Sequence, residues 1–353
     1  MSRDHRRNIE LNLGKGCDNR CVFCATGMQS RDEPGWMSVD EVCEALRSGR
    51  EQGVDSVGFI GGEPTRYAAL PEVVTAARDL GYARIALCTN GRRLASAARL
   101  DRLLDAGMTR VALSIHSHRA ELEDAITRRR GSFDQKVEAI HYLVQARDAG
   151  RLPDGFSLNT VLHAQNVTQL EPQCSFFAKL GVHDIRLGFI RPEVEADQVR
   201  LWVPTFARTT PRLLALIEKN ESKLGLQLGF ADLPLCRYPW ELLANPTLRA
   251  RYLGELRDLD SEVTLYRPEE RGGAKRFNWQ DQRTTYLKCH VPVCEGCVLR
   301  SRCEGLWRGY LELYGDAELV DGPTVARSYA RDKDLFDIRA LERLARGGET
   351  PDG

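Results

Sequence analysis

The sequence predicts an α/β protein, a partial (β/α)6 TIM-like barrel followed by a cysteine-rich C-terminal extension. Three observations carry that prediction. Over the first 230 residues, short apolar runs alternate with amphipathic stretches, the rhythm of β/α units on a parallel sheet. Six such units can be counted, two short of a closed eight-unit barrel. Near residue 230 the rhythm stops, and Cys289, Cys294, Cys297 and Cys303 then follow one another closely.

The totals agree. At 353 residues, 42% hydrophobic and 28% charged, the chain suits a barrel with an appendage, or two domains, and can bury a sizeable core. Lys plus Arg equals Asp plus Glu at 50 each, so no global field draws in nucleic acid or an anionic membrane. No run approaches the ~18–20 apolar residues of a membrane span. The first seven residues hold no apolar segment that would make a signal peptide. A cytoplasmic, reducing compartment is therefore expected, where 11 cysteines point to metal or catalytic chemistry rather than bridges.

The expected strands are 9–13, 56–60, 84–88, 110–115, 156–162 and 184–190. Helical patterns lie near 38–52, 68–80, 95–106, 133–149 and 168–180, and a longer one near 205–224. Ser38, followed by Asp40 and Glu41, supplies the first helix with an N-cap and acidic residues for its positive end. Residues 245–285 read as charged and irregular.

β/α barrels present their reactive groups at the C-terminal ends of strands, so those are the places to read. Soon after the first strand comes Cys17-Asp-Asn-Arg-Cys21-Val-Phe-Cys24, a C-x3-C-x2-C loop. A structural zinc or an electron-transfer iron–sulfur site usually takes four thiolates. Three on a four-iron cluster would leave one iron open to a non-protein ligand. The alternative is a zinc knuckle completed by Cys43 or Cys88. The second strand ends in Gly61-Gly62-Glu63-Pro64, where adjacent glycines let backbone approach a ligand closely, or simply make a tight turn. The third ends in Cys88-Thr89-Asn90-Gly91, and the fourth in Ser114-Ile-His116-Ser117-His118, with Ser114 and His116 alternating onto one face. Asn159 and Thr160 on the fifth strand and Arg191 after the sixth are further candidates. The trio Arg128 to Arg130 reads as a solvated loop, although an arginine there could bind a carboxylate or phosphate.

The second group is Cys289-x4-Cys294-x2-Cys297-x5-Cys303, with Cys236 upstream. Zinc and a [4Fe–4S] cluster both suit four thiolates. Cys236 with Cys294, Cys297 and Cys303 is the favoured set, because an upstream ligand would tie the extension to the barrel. Cys289 is then spare, a ligand instead, or a thiol near substrate. Cys43 and Cys174 fall in helical stretches and read as core.

The cysteine loop, with Phe23 before its last cysteine, resembles the cluster loop of the radical S-adenosylmethionine (SAM) enzymes. Gly61 to Pro64 is similar to that family's GGEP motif, and Thr89-Asn90-Gly91 is similar to its third strand end. The resemblance implies an open six-unit barrel in which Cys17, Cys21 and Cys24 hold a [4Fe–4S] cluster that binds SAM. Gly61, Gly62 and Glu63 would hold the amino group of its methionine part. Ser114 would contact the ribose or carboxylate, with Phe23, Asn90, His116, Asn159 and Arg191 completing the cofactor-binding candidates. Cys294, Cys297 and Cys303 match the C-x2-C-x5-C core of the SPASM and twitch auxiliary-cluster domains. The longer SPASM pattern expects one more cysteine, where this chain has Trp307. The implied division is 1–230 barrel, 231–329 auxiliary domain binding one further [4Fe–4S] cluster, and 330–353 an amphipathic helix over 330–345 with a tail.

The chemistry implied is one-electron cleavage of SAM to a 5′-deoxyadenosyl radical that takes a hydrogen atom from substrate, with flavodoxin or ferredoxin as electron donor. A second cluster favours an oxidation, epimerisation or bond-forming step. Relatives of this layout modify ribosomal peptides or small natural-product intermediates. Eight residues before the first strand are too few for a leader-peptide-binding domain, which leans toward a small molecule or a separately recognised peptide. An RNA-modifying role is disfavoured by zero net charge. The competing class is a redox-sensing metalloprotein, which would explain the cysteines but not Gly61 to Pro64 or the polar strand ends.

Overall fold

The computed structural model describes residues 7–24, 35–192, 199–254, 262–268, 274–297 and 299–320. Two compact units divide the chain. The first comprises Met1–Val161, Pro172–Arg186 and Asp260–Gln282; the second comprises Leu162–Glu171, Leu187–Leu259 and Arg283–Gly353.

In the first unit, β1 (Arg7–Asn12), β2 (Ser56–Ile60), β3 (Arg84–Thr89), β4 (Arg110–Ser114) and β5 (Phe156–Leu162) pair in parallel, each with the next. Helices α1 (Val39–Glu51), α2 (Leu70–Asp79) and α3 (Ala97–Ala106) follow the first three strands. α4 (Ala120–Thr127) and α5 (Ser132–Asp148) follow β4, and α6 (Leu170–Lys179) leads from β5 to β6 (Asp184–Phe189). All six expected strands are present within a residue or two of their predicted ends. Ser38 caps α1 in a full capping box, its hydroxyl accepting from the Glu41 N–H and the Glu41 carboxylate accepting from the Ser38 N–H at 2.7 Å.

The strand alternation fixes what faces where. In β3, Ile85, Leu87 and Thr89 are buried, while Arg84, Ala86 and Cys88 stay partly exposed, and β6 repeats the pattern. Val42 and Leu46 of α1, Val73 and Val74 of α2, and Leu100 and Leu103 of α3 supply buried helix faces. The opposite strand face is left to small and polar residues: Cys88, Ser114 and Asn159. This is a helix-backed sheet whose other face lines a site.

Two features depart from expectation. α4 lies where the sequence shows no helical pattern, and part of 245–285 is regular: β8 (Glu262–Pro268) pairs in parallel with β1, and β9 (Ala274–Asn278) pairs antiparallel with β8. β1 is therefore flanked on both sides, giving the order β5-β4-β3-β2-β1-β8-β9 in this unit.

The second unit contains α7 (Val199–Trp202), α8 (Phe206–Lys219), β7 (Gln227–Ala231), α9 (Trp240–Ala244) and α10 (Pro246–Leu253). The short strands β10 (Lys288–Cys289) and β11 (Leu306–Trp307) pair antiparallel, and a helix over Arg308–Tyr314 follows. Phe206 and Tyr310 stack at 4.0 Å in its core. The helix expected over 330–345 lies outside the described residues.

Candidate active site and second cysteine site

Cys17, Cys21 and Cys24 stand on the loop that leaves β1, and two neighbouring elements hold that loop. From one side, the Gly62 N–H donates to the Gly14 carbonyl at 2.7 Å and the Glu63 N–H to the Gly16 carbonyl at 2.8 Å. The approach is so close that a Cβ on Gly62 would lie 2.4 Å from the Lys15 carbonyl oxygen, and one on Gly61 2.7 Å from that of Gly14. From the other side, the Arg20 and Val22 N–H groups donate to the Thr127 and Ile126 carbonyls at 2.8 and 3.0 Å. Those carbonyls belong to the last turn of α4, where no intrahelical donor reaches them.

The Cys17 sulfur accepts from the Asn19 N–H at 3.4 Å and from Asn90 Nδ2 at 3.9 Å, and the same amide donates to Asp18 at 2.7 Å. Burial pushes the Cys17 thiol up, and that of Cys21 up to about 12, so a bound metal's charge is what would favour their thiolates. Arg92 and Arg129 both donate to the Asp18 carbonyl, at 2.9 and 2.7 Å, and brace the loop's outer edge. Arg129 of the basic trio is thus a fastener, with its side chain exposed.

Glu63 is fully buried. Its carboxylate accepts from the hydroxyls of Thr65 and Thr89, both at 2.6 Å, and from the N–H groups of Thr65 and Asn90 at 3.1 and 2.6 Å. Burial raises its pKa against the pull of those four donors. Glu63, Asn90 and Cys17 therefore form one hydrogen-bonded chain. Ser114 sits opposite Asn159 in the β4–β5 register and is hydrogen-bonded to Cys88. His116 is buried, its Nδ1 accepting from the Val161 N–H at 3.2 Å and its ring edge-on to Phe23 at 4.8 Å. Burial, then the Lys136 charge, holds it well below the usual histidine range, so it is neutral. The structure thus brings the cysteine loop, Phe23, Gly61, Gly62, Glu63, Asn90 and His116 together, with Ser114 and Asn159 on the sheet face.

One pair escaped the sequence reading. Glu123 of α4 and Lys136 of α5 form an ion pair at 2.5 Å with both side chains 0% exposed. The second Glu123 oxygen accepts from the His116 and Ser117 N–H groups at 2.8 and 2.9 Å. In sequence both look like surface charges, and only the fold reveals them as interior.

In the second unit, Cys236, Cys294, Cys297 and Cys303 line one small pocket, with His290, Leu299, Leu306 and Leu319 among its walls. Cys289, on β10, is not among the lining residues. The Leu235 and Gly305 N–H groups both donate to Cys303 sulfur at 3.4 Å. No three His, Cys, Asp or Glu side chains among the described residues converge closely enough to hold a single metal ion. Arg191 also falls in this unit, its guanidinium 5.7 Å from the Trp307 ring, whose N–H donates to the Asp232 carbonyl at 2.9 Å. Trp307, at the position of the missing SPASM cysteine, is a fully buried core residue.

No helix among the described residues is long and apolar enough to cross a membrane. The family model of the Radical SAM superfamily matches residues 11–169, which include the cysteine loop and Gly61 to Pro64. A probable GTP 3′,8-cyclase of Sulfurisphaera tokodaii is 30% identical over 186 residues, 52% of this chain and 56% of that one. One of Metallosphaera sedula is 29% identical over 185 residues, with the same shares. The chain thus spans about half the length of these relatives. Among solved structures, Streptococcus suis SuiB bound to S-adenosylmethionine matches with TM-score 0.60 and 16% identity over 87% of this chain and 74% of that one. anSMEcpe with bound AdoMet and Kp18Cys peptide matches with TM-score 0.50 and 13% identity, covering 60% and 59%. At those identities the likeness is one of fold. The donor set agrees with the family's [4Fe–4S] cluster and SAM, since three thiols share one loop with N–H groups aimed at sulfur. Residues 11–169 are thus similar to a radical SAM domain.

Proposed function

We propose that this chain is a radical SAM enzyme with a barrel domain spanning 1–230 and a second, auxiliary [4Fe–4S] cluster in residues 231–329. The reaction we assign is the oxidation, epimerisation or bond-forming modification of a natural-product intermediate, either a small molecule or a ribosomal peptide. The observation that carries this reading is the convergence of Cys236, Cys294, Cys297 and Cys303 on one cavity with apolar walls. Cys17, Cys21 and Cys24 would hold the first cluster. When bound there, the cluster and SAM would supply one-electron chemistry able to take a hydrogen atom from substrate.

The chain's own residues supply orientation and the exclusion of water. The Gly61–Gly62 backbone and the Glu63–Asn90–Cys17 chain fix the loop, while Ser114 and Asn159 offer polar contacts to SAM from the sheet face. Neutral His116 can donate or accept at that site without bringing charge. A second cluster has an evident use, since such potentials are tunable by hydrogen bonds and burial, as at the Cys303 sulfur.

The relatives support a second reading. Their printed name makes cyclisation of GTP a candidate activity, and incubation with GTP under reducing conditions tests it directly. SuiB has also been solved bound to precursor peptide SuiA, which supports testing peptides alongside small molecules. For the auxiliary site, the test is iron content and product after Cys236→Ala and Cys289→Ala. The expected result is loss of roughly four irons per chain in the first variant and none in the second. Equal retention in both would exclude Cys236 as a ligand. Unchanged product and rate without the auxiliary iron would overturn its electron role.

A further inference from the structure

The second unit holds a charge cluster that nothing in the proposed chemistry uses. Asp232 follows β7, Lys288 opens β10, and Arg283 and Glu304 complete the group. Glu304 takes the hydrogen bonds of both cations. Lys288 Nζ donates to one of its oxygens at 2.6 Å, and Arg283 Nη2 donates to the other. Asp232 receives only their charge. Its Oδ1 lies 3.6 Å from Arg283 Nη1 and 3.9 Å from Lys288 Nζ, too far for a hydrogen bond with either. That oxygen is buried without a hydrogen-bond partner, and so is Nε of the same arginine.

Three further observations aim these two atoms at a ligand. Asp232 stands just past a strand end, where β/α folds place their reactive groups. It holds φ at +71°, in the left-handed region, while the Trp307 indole N–H fixes its carbonyl at 2.9 Å. Its Oδ2 borders open space: among the described residues, a Cβ on Gly188 would meet nothing within 4 Å beyond its chain neighbours except that oxygen, at 3.5 Å. A buried acceptor and a buried donor left unpaired are costly unless something fills both. An anion would satisfy Arg283 Nε but be repelled by Asp232, and a cation would do the reverse. A trans peptide group turns its N–H and C=O in opposite directions, so it cannot serve two neighbouring atoms with one edge.

We propose that Asp232 and Arg283 form a substrate-binding site for a cis-amide (lactam) edge, whose N–H donates to Asp232 Oδ1 and whose adjacent C=O accepts from Arg283 Nε. A nucleobase and a cyclic peptide both carry such an edge. Leu235, three residues beyond Asp232, donates to the Cys303 sulfur, so the bound edge would lie close to the second cysteine site. This inference rests on the chain being an enzyme with a small-molecule or peptide substrate.

The test is saturation-transfer NMR on the iron-loaded full chain with 2-pyridone, inosine and the cyclic dipeptide of glycine. The control is N-methyl-2-pyridone, which keeps the carbonyl and lacks the donor. 2-Pyridone is expected to bind about tenfold more tightly than its N-methyl form, because the blocked nitrogen leaves Asp232 unpaired. Inosine binding alone would assign the edge to a nucleobase, and cyclic dipeptide binding alone to a peptide-derived ring. Asp232→Asn keeps a side chain that tolerates the left-handed backbone and should weaken 2-pyridone about tenfold at unchanged iron content. If that variant fails to fold, Arg283→Lys keeps a cation beside Glu304 without Nε and should weaken it likewise. Equal binding of the two pyridones, binding unchanged in a folded variant, or no binding of any probe would overturn the inference and leave the two atoms to an ordered water. SAM cleavage in the same preparation keeps the two readings apart: without 5′-deoxyadenosine it is the enzyme reading that fails.

Discussion

Gly62 has no room for a side chain. A Cβ there would meet the Lys15 and Gly16 carbonyl oxygens at 2.4 and 2.5 Å, and both are backbone atoms that cannot swing away. Gly61 adds a φ of +146°, outside the range that L side chains favour. The two glycines thus let the second strand end grip the cysteine loop, whatever contact they also make with a ligand. Gly62→Ala should push that loop off its seat and cost on the order of 1–3 kcal/mol, the range for overpacking. The measurement is iron per chain after reconstitution together with the thermal midpoint, and both should fall. A variant that loads iron normally would mean the loop tolerates displacement. Glu63 shows the same division. As a carboxylate after two glycines it reads from sequence as a ligand contact. Its four internal donors make it first a joint between β2, β3 and the loop.

Among the elements, the strands were legible because alternation is their only cheap signature. Ile85, Leu87 and Thr89 go in while Ala86 and Cys88 do not, and a pattern of period two says so without a structure. The elements missed are those whose charges hide their role. α4 carries Glu121, Glu123 and Asp124 in eight residues, and that charge hides the burial of Glu123 against Lys136. β8 and β9 lie in a stretch dense in Arg and Glu, and tertiary pairing with β1 overrides that composition. β8 is flanked by β1 on one side and β9 on the other, so its N–H groups serve ladders rather than solvent. Leu265→Pro, at the residue opposite both Glu10 and Phe277, should remove one of them and cost about 1–3 kcal/mol. Urea unfolding would register this as a lowered midpoint, with faster amide exchange along β1. An unchanged midpoint would show that the strand contributes little to this unit. Cysteine spacing, by contrast, singles out the C-terminal cysteines as a group. The cavity separates Cys236, Cys294, Cys297 and Cys303 from Cys289, a distinction the spacing left open.

At the scale of the molecule, the chain has zero net charge and places one group of cysteines in each of two compact units. Each site places thiols under N–H donors and burial, the two levers by which a protein tunes an iron–sulfur centre. The substrate is less legible, because specificity resides in side chains facing a site that many chemistries can share. The most direct measurement is an anaerobic reconstitution with iron and sulfide, followed by iron counting and then by addition of SAM and dithionite. About eight irons per chain, as two four-iron clusters, and release of 5′-deoxyadenosine are expected. About four irons with cleavage would return the second site to zinc. The absence of 5′-deoxyadenosine, with no spectral response to SAM, would contradict the central claim.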